Sequence, residues 1–204
     1  MRNPPLLPKR KFIGTLLGAG LFMISSRMHG QAVLKPPFGL DWGDSPEKLI
    51  SWATDQAMDI TITLPGGKQE LRNIQIKPTK GLLPNSTASS VEGKFLNGGL
   101  FELTVHYRDS SVSAATMEGR FNEMKGQLAR EHGTFSPNQQ RRAVEDQFVT
   151  RTQSFHRESL KGVFMLIAWT EVEDLLRKTK QARFSLIYRN DNFKSELEDR
   201  KIKE

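Results

Sequence analysis

The stretch VEGKFLNGGLFELTVHY, residues 91–107, decides the fold that this sequence predicts. Asn97-Gly98 is a strong turn signal, because both residues tolerate positive φ angles. From residue 100 to 107, apolar side chains occupy every other position, at Phe101, Leu103, Val105 and Tyr107. Because successive side chains of a strand point to opposite faces, this alternation predicts a half-buried strand. Residues 91–107 are therefore predicted to form an antiparallel hairpin.

Another hairpin is predicted on the N-terminal side. Residues 58–64 alternate between apolar and polar, and the turn Pro65-Gly66-Gly67-Lys68 follows them. A returning strand over 70–77 completes the pattern of two short strands around a glycine-rich turn. Residues 78–89 are rich in Gly, Pro, Ser, Thr and Asn, which predicts a loop.

The C-terminal half predicts further strands. Residues 134–143 are polar and are predicted to be a loop, while 144–156 alternate weakly and fit an exposed strand. The continuously apolar run 163–169 predicts a central strand buried on both faces. Residues 171–181 fit either a short helix or a long turn. Apolar residues at alternate positions over 184–188 indicate one more strand.

Two helices are predicted. Asp44 or Ser45 can cap the first, Pro46 suits its first position, and it extends to about Gln56. The second helix is predicted over 113–131, because an apolar stripe recurs there at steps of three and four residues: Met117, Phe121, Met124 and Leu128.

Together these elements predict a single α+β domain over residues 33–190. Its architecture is a mainly antiparallel sheet of about six strands, with one long helix packed on a face and a short N-terminal helix. The sequence shows no internal repeat that divides the chain. Residues 191–204 are strongly charged and are predicted to be a disordered tail or a solvated helix.

Residues 1–32 have the features of a secretory signal peptide. Four basic side chains within residues 1–11 precede an uncharged, mainly apolar run over 12–26. That run is shorter than the roughly 20 residues that span a bilayer, which favours cleavage over a permanent anchor. Small residues at Gly30 and Ala32 predict cleavage after Ala32. The mature protein is therefore expected to be periplasmic or secreted.

The composition excludes several classes of function. The formal net charge is +7, but residues 1–32 contain five basic side chains and no acid. The remainder has 25 basic and 23 acidic residues, a net charge of +2, which does not predict nucleic-acid binding. The absence of cysteine excludes disulfides, a thiol nucleophile, a cysteine metal site and lipidation at an N-terminal cysteine.

The sequence has no pattern typical of catalysis or of a bound cofactor. The histidines of the mature chain are isolated and lack the spacing of a metal site: His106, His132 and His156. No G-x-S-x-G elbow and no phosphate-binding loop is present. We therefore predict no catalytic residue, no metal and no cofactor.

Trp42, Asp41 and Asp44 are the candidate binding residues. Trp42 precedes a glycine at the start of the first helix, where an exposed aromatic side chain would offer a contact surface. A core position also explains Trp42, and helix capping also explains Asp44. The alternative of a hydrolase would use scattered carboxylates such as Asp41, Glu171 and Glu173, and it requires a deep cleft that raises their pKa values.

The segment FGLDWGDSPEKL, residues 38–49, resembles the opening of uncharacterised exported domains of Gram-negative bacteria, which begin F-G-x-x-W-G-x-S-x-E-x-V/L. Those domains continue through hairpins to a long helix that ends near L-x-x-x-Y-G. The corresponding residues here, 128–133, are LAREHG. More distantly, residues 42–49 are similar to the helix-opening motif of small lipoproteins of the outer-membrane barrel-assembly machinery, whose lipidated cysteine this chain lacks. The resemblance implies an envelope protein without known catalysis and supplies no functional residues.

The sequence thus favours a non-catalytic exported domain that binds an unidentified envelope or extracellular protein. The expected contact surfaces are the Trp42 loop, the 78–89 loop and an exposed sheet edge. No stable membrane span is expected after cleavage. Two alternatives stay open: a carboxylate-dependent hydrolase acting in the periplasm, and the same binding domain tethered by an uncleaved leader.

Overall fold

Eight strands form one antiparallel sheet in the computed structural model, which describes residues 34–201. The strands are β1 (Asp59–Thr63), β2 (Leu71–Lys77), β3 (Ser90–Leu96), β4 (Gly99–Arg108), β5 (Ser136–Glu145), β6 (Phe148–Leu160), β7 (Val163–Asp174) and β8 (Thr179–Asn190). The helices are α1 (Pro46–Asp55), α2 (Ala114–His132) and α3 (Asp191–Lys201), with a short 3-10 turn over Pro65–Gly67. The predicted signal peptide and its cleavage after Ala32 lie outside the described residues.

The order of strands in the sheet is β1-β2-β3-β4-β8-β7-β6-β5. Strands β1 to β4 form one meander and β5 to β8 form another, and the two meanders meet where β4 pairs with β8. One helix precedes each meander: α1 comes before β1, and α2 comes before β5. The described residues therefore contain the same order of elements twice, a helix followed by four strands.

The main hydrophobic core lies between one face of the sheet and the helices α1 and α2. Phe121 of α2 is fully buried, and its ring lies 5.5 Å from that of Trp169 and 5.7 Å from that of Phe184. Leu49 of α1 is fully buried against the same core. Burying these large side chains in one cluster supplies the main driving force for this packing.

A second, smaller apolar cluster holds α3. Leu197 of α3 is 2% exposed and packs with Leu96 and Phe101 near the β3–β4 turn. The Asn97 side chain donates a hydrogen bond of 2.7 Å to the backbone carbonyl of Leu197. The segment that the sequence predicted to be disordered or solvated is thus a helix with one apolar side against the sheet.

The predicted α+β architecture of about six strands with one long helix and one short helix is wrong. Residues 34–201 form eight strands and three helices, and the described part of the chain is 46% strand and 25% helix. One strand was missed because the predicted loop 134–143 falls largely in β5, whose side chains are almost all exposed and give no apolar alternation. Residues 171–181, predicted as a short helix or a long turn, are the end of β7, a turn over 175–178 and the start of β8.

The predicted hairpins over 58–77 and 91–107 and the helices over 46–56 and 113–131 are confirmed. The prediction that 163–169 is buried on both faces is wrong. Val163, Met165, Ile167 and Trp169 are buried, whereas Phe164, Leu166 and Ala168 between them are only half-buried. One face of β7 therefore lies against the core, and the opposite face is partly open to solvent.

Candidate binding face of the sheet

The face of β5 to β8 that points away from α2 is polar and open, and we refer to it as the open face. Its central feature is a line of five residues that are paired from strand to strand. Cross-strand register joins Arg141 to Thr152, Thr152 to Thr170, Thr170 to Arg183, and Arg183 to Arg108 of β4. We call these five residues the arginine row.

The arginines of this row have no counter-ion among the residues that the structure describes. Within residues 34–201, none of Arg108, Arg141 and Arg183 has an ion pair or a side-chain hydrogen bond. Arg108 and Arg183 are also direct cross-strand partners. Like charges in that position are destabilising. The fold therefore keeps an unfavourable pair of cations side by side.

The rows on either side of the arginine row contain no acidic residue. One of them joins Ser154, Ala168, Ser185 and His106 by register, and the other joins Ala143, Thr150, Val172 and Gln181. Hydroxyls, an imidazole, an amide and small apolar groups thus border the arginines. The charged side chains of these three rows are therefore cations, while the acids Asp109 and Glu145 lie outside the rows, in the linings of the neighbouring grooves.

Grooves follow the arginine row. A groove of about 470 Å³ lies over β5 to β7 and is lined by Arg141, Thr152 and Thr170 among others. A groove of about 270 Å³ is lined by Arg108, Thr170 and Arg183. Because Thr170 lines both, the two grooves border one another along the row.

Half-buried apolar side chains also lie on the open face, two and three rows away from the arginine row. Leu166 of β7 is the register partner of Ile187 in β8, and Phe164 lies two residues before Leu166. Phe164 and Leu166 line a third groove of about 440 Å³ together with His156. The open face therefore combines apolar groups with unpaired arginines, a composition suited to a protein contact.

At the β3–β4 end, the same face of the sheet carries charges that are compensated. Glu102, 5% exposed, lies 2.7 Å from Lys94 Nζ and 3.4 Å from an Arg189 guanidinium nitrogen. Arg189 also contacts Asp191 at 2.6 Å. This network neutralises its cations internally, which the arginine row does not do.

His106 links two strands at the border of the row. Its Nδ1 lies 2.9 Å from Ser185 Oγ, and its Nε2 lies 3.8 Å from a Glu92 carboxylate oxygen. The contact with His106 lowers the pKa of Glu92 below its ordinary value, against the opposing effect of partial burial.

The predicted binding residues Trp42, Asp41 and Asp44 occupy one tight turn before α1. Trp42 Nε1 donates a 2.8 Å hydrogen bond to the Leu34 carbonyl, and an Asp44 carboxylate oxygen accepts from the Asp41 backbone amide at 2.6 Å. The turn is fixed to β4 by two backbone hydrogen bonds with Leu100. The three side chains thus have structural partners, and their role in binding stays a prediction.

The carboxylates of the hydrolase alternative have cationic partners. Arg151 lies 2.7 Å from Glu171 and 3.0 Å from Glu173, and its hydrogen bond lowers the pKa of Glu173. Lys35 lowers the pKa of Asp41 in the same way, at 2.7 Å. General-acid catalysis near neutral pH requires a raised carboxyl pKa, and these two shifts run in the opposite direction.

Comparison with known proteins gives no match to any family model, curated protein or solved structure. In the part of the chain that the structure describes, no group of three or more His, Asp or Glu side chains could hold a metal ion. Over the same residues, no helix is both long and apolar enough to cross a membrane.

The arginine row has no signal in the sequence. Its five residues come from five strands, and what brings them into line is the register between those strands. Arg141 lies in a segment predicted to be a loop, and the pairing of β4 with β8 joins segments about 80 residues apart. A pattern of alternating residues predicts a strand but not its neighbour.

Proposed function

We propose that the chain is an exported, non-catalytic domain that binds another protein of the bacterial envelope or an extracellular protein through the open face. The single observation that carries this proposal is the arginine row, with its uncompensated cations bordered by grooves and half-buried apolar groups. Large surfaces that mix apolar and unpaired charged groups are typical of recognition rather than of structural packing.

Retaining a like-charge pair also supports binding. The open face would be more stable with a neutral residue in place of Arg108 or Arg183. Sites that bind ligands often keep such locally unfavourable groups, because these groups find their partner only in the complex. Export to the envelope is a separate part of the proposal and is supported by the sequence of residues 1–32.

Site-specific photo-crosslinking in the cell tests this proposal. A photoreactive residue is placed at Thr152 on the open face, and in a second variant at Glu123, which is exposed on α2. We expect one dominant protein adduct from position 152 and none from position 123. Mass spectrometry identifies the captured protein and the first residue of the mature chain.

Two results would contradict the proposal. If positions 152 and 123 give protein adducts in equal amounts, the open face is not a specific binding surface. No adduct from position 152, or from a further probe at Leu166, would mean that the open face does not contact a protein in the cell. A chain that starts at Val33 supports cleaved export, and a retained Met1 identifies a tethered form.

A further inference from the structure

We infer that the arginine row binds an extended acidic segment of the partner protein, which lies across strands β5, β6, β7, β8 and β4. The inference rests on the proposed function, because it specifies which chemistry the partner presents to the open face. The occupant is defined by charge complementarity, because the three arginines have no counter-ion within residues 34–201 and the neighbouring rows contain no acid.

Carboxylates fit this row by hydrogen-bond geometry as well as by charge. A guanidinium group has a planar fork of N–H donors that can hold one carboxylate with two parallel hydrogen bonds. Thr152 and Thr170 lie between Arg141 and Arg183, and their hydroxyls can donate to a carboxylate or to a peptide carbonyl. A carboxylate between Arg108 and Arg183 would also remove the repulsion between these two cations.

The length of the row points to a chain rather than to a small anion. Neighbouring strands lie about 4.8 Å apart, so the four steps from Arg108 to Arg141 span about 19 Å. At about 3.3 Å per residue, roughly six residues of extended polypeptide cover that distance. A single phosphate or acetate ion would reach only one end of the row.

The shape of the surface favours a polypeptide over a membrane. Arg141, Thr152 and Thr170 line a groove of about 470 Å³, and Arg108 and Arg183 line an adjoining groove of about 270 Å³. Val172, beside the row, and Leu166, two rows away, are both half-buried. An extended segment can enter such grooves, whereas a flat bilayer surface would rest above them.

Fluorescence anisotropy with a labelled peptide of six glutamates tests the inference, with a peptide of six glutamines as the uncharged probe. The full chain is titrated at low ionic strength, where exposed charges are least screened. We expect saturable binding of the glutamate peptide only. The double variant R108Q/R183Q should weaken that binding at least tenfold, and R141Q should weaken it at least threefold.

Arg142 provides the matched control. It is adjacent to Arg141 on β5 and lies on the opposite face of the sheet, so R142Q removes the same net charge from outside the row. Binding by R142Q should stay within twofold of the parent chain. A charge reversal adds a gain of function: R108E/R183E should bind a peptide of six lysines better than the parent chain does.

Each contrary result has a defined meaning. If R142Q weakens binding as much as R141Q does, the effect is that of overall charge and the inference is wrong. If phosphatidylglycerol vesicles bind through the row and the glutamate peptide does not, the row recognises lipid headgroups and the inference is again wrong.

The two proposals fail in different ways. If R108Q/R183Q captures the same crosslinked partner as the parent chain, the open face is still a protein-binding surface. The inference that the arginine row binds an acidic segment is then wrong. Row-dependent peptide binding without any crosslinked protein in the cell would instead overturn the proposed function and leave an anion-binding row.

Discussion

At the scale of single residues, Arg108 and Arg183 lower the stability of the folded protein. The two cations are cross-strand partners and have no counter-ion within residues 34–201. Replacing one of them by glutamine removes the repulsion and keeps two of the three methylene groups of the side chain. We expect R183Q to raise the free energy of unfolding by about 0.2–1 kcal/mol.

Urea unfolding at low and high salt measures this effect. The gain should shrink as salt increases, because screening already weakens the repulsion in the parent chain. R142Q should change stability less, because Arg151, the cross-strand partner of Arg142, is neutralised by Glu171 and Glu173. A loss of stability in R183Q would show that Arg183 has a structural role and would remove the main argument for a binding row.

Glu92 gives a second test at this scale. Its pKa is lowered in the folded state by the contact with His106, so the folded state favours the ionised carboxyl. The stabilisation is complete above the unfolded-state pKa of about 4.3 and is lost as pH falls through the lower, folded-state value. We expect E92Q to make the acid loss of stability shallower between about pH 5 and 3.

Thermal unfolding as a function of pH checks this prediction, with E118Q as the control because Glu118 is an exposed residue of α2. The control should keep the acid slope of the parent chain. An unchanged slope in E92Q would mean that the contact between His106 and Glu92, at 3.8 Å, does not couple the carboxyl to folding.

Among the secondary-structure elements, α3 depends on one anchoring side chain. Leu197 is 2% exposed in the small cluster with Leu96 and Phe101, while most of the helix is polar. An isolated helix of this length is marginal in water, so its packing must hold it. We expect L197A to cost about 2 kcal/mol, at the low end for buried leucines because the site lies at the margin of the sheet.

Hydrogen exchange locates that loss. Amides of α3 should lose protection in L197A, whereas those of β7 and β8 should exchange as in the parent chain. E196A, an exposed position on the same helix, should change stability by no more than about 0.5 kcal/mol. Uniform loss of protection over the whole sheet would show that α3 is part of the main cooperative unit.

Much of the fold could be predicted element by element, and what was missed has physical reasons. The hairpin over 91–107 and the helix over 113–131 were predicted because burial gives each a regular apolar pattern. β5 is an edge strand with both faces exposed, so burial leaves no pattern to detect. In α3 the apolar residues Phe193 and Leu197 are surrounded by charged residues. The high charge of this segment predicted a disordered tail or a solvated helix, and the apolar side of the helix was missed.

The candidate site was less predictable than the fold. The sequence predicted Trp42, Asp41 and Asp44 as binding residues from their position at the start of the first helix. In the structure these residues have bonding partners within the same chain. The arginine row is assembled by the pairing of β4 with β8 and by the register of three further strand pairs. Such long-range register is set by which faces of the strands are buried together, and no local pattern encodes it.

At the scale of the whole molecule, the pairing of β4 with β8 joins two halves that each consist of a helix and four strands. Antiparallel meanders that meet through their last strands make one continuous sheet without a crossover inside either half. The arginine row crosses this joint, since Arg108 belongs to the first half and its partners to the second. A ligand bound along the row would therefore contact both halves at once.

The chain's two tyrosines lie at this same joint, which predicts its behaviour in alkali. Tyr107 stacks on Phe184 at 4.4 Å between ring centroids, and Tyr188 is the register partner of Leu103. Burial raises the pKa of both phenols above their ordinary value. A raised folded-state pKa means that stability is fully present below the unfolded value of about 10 and is lost as pH rises above it.

We therefore expect alkaline unfolding in which phenolate absorbance at 295 nm and tryptophan fluorescence change together, because the phenols ionise when the joint between β4 and β8 opens. Each phenol protonated in the folded state and ionised in the unfolded state contributes about 1.4 kcal/mol per pH unit. Y107F and Y188F should each make the loss of stability above pH 10 shallower and move the midpoint of unfolding to higher pH. Phenols that titrate near pH 10 while the fluorescence stays native would show that the joint admits water, and the two halves would then not unfold as one unit.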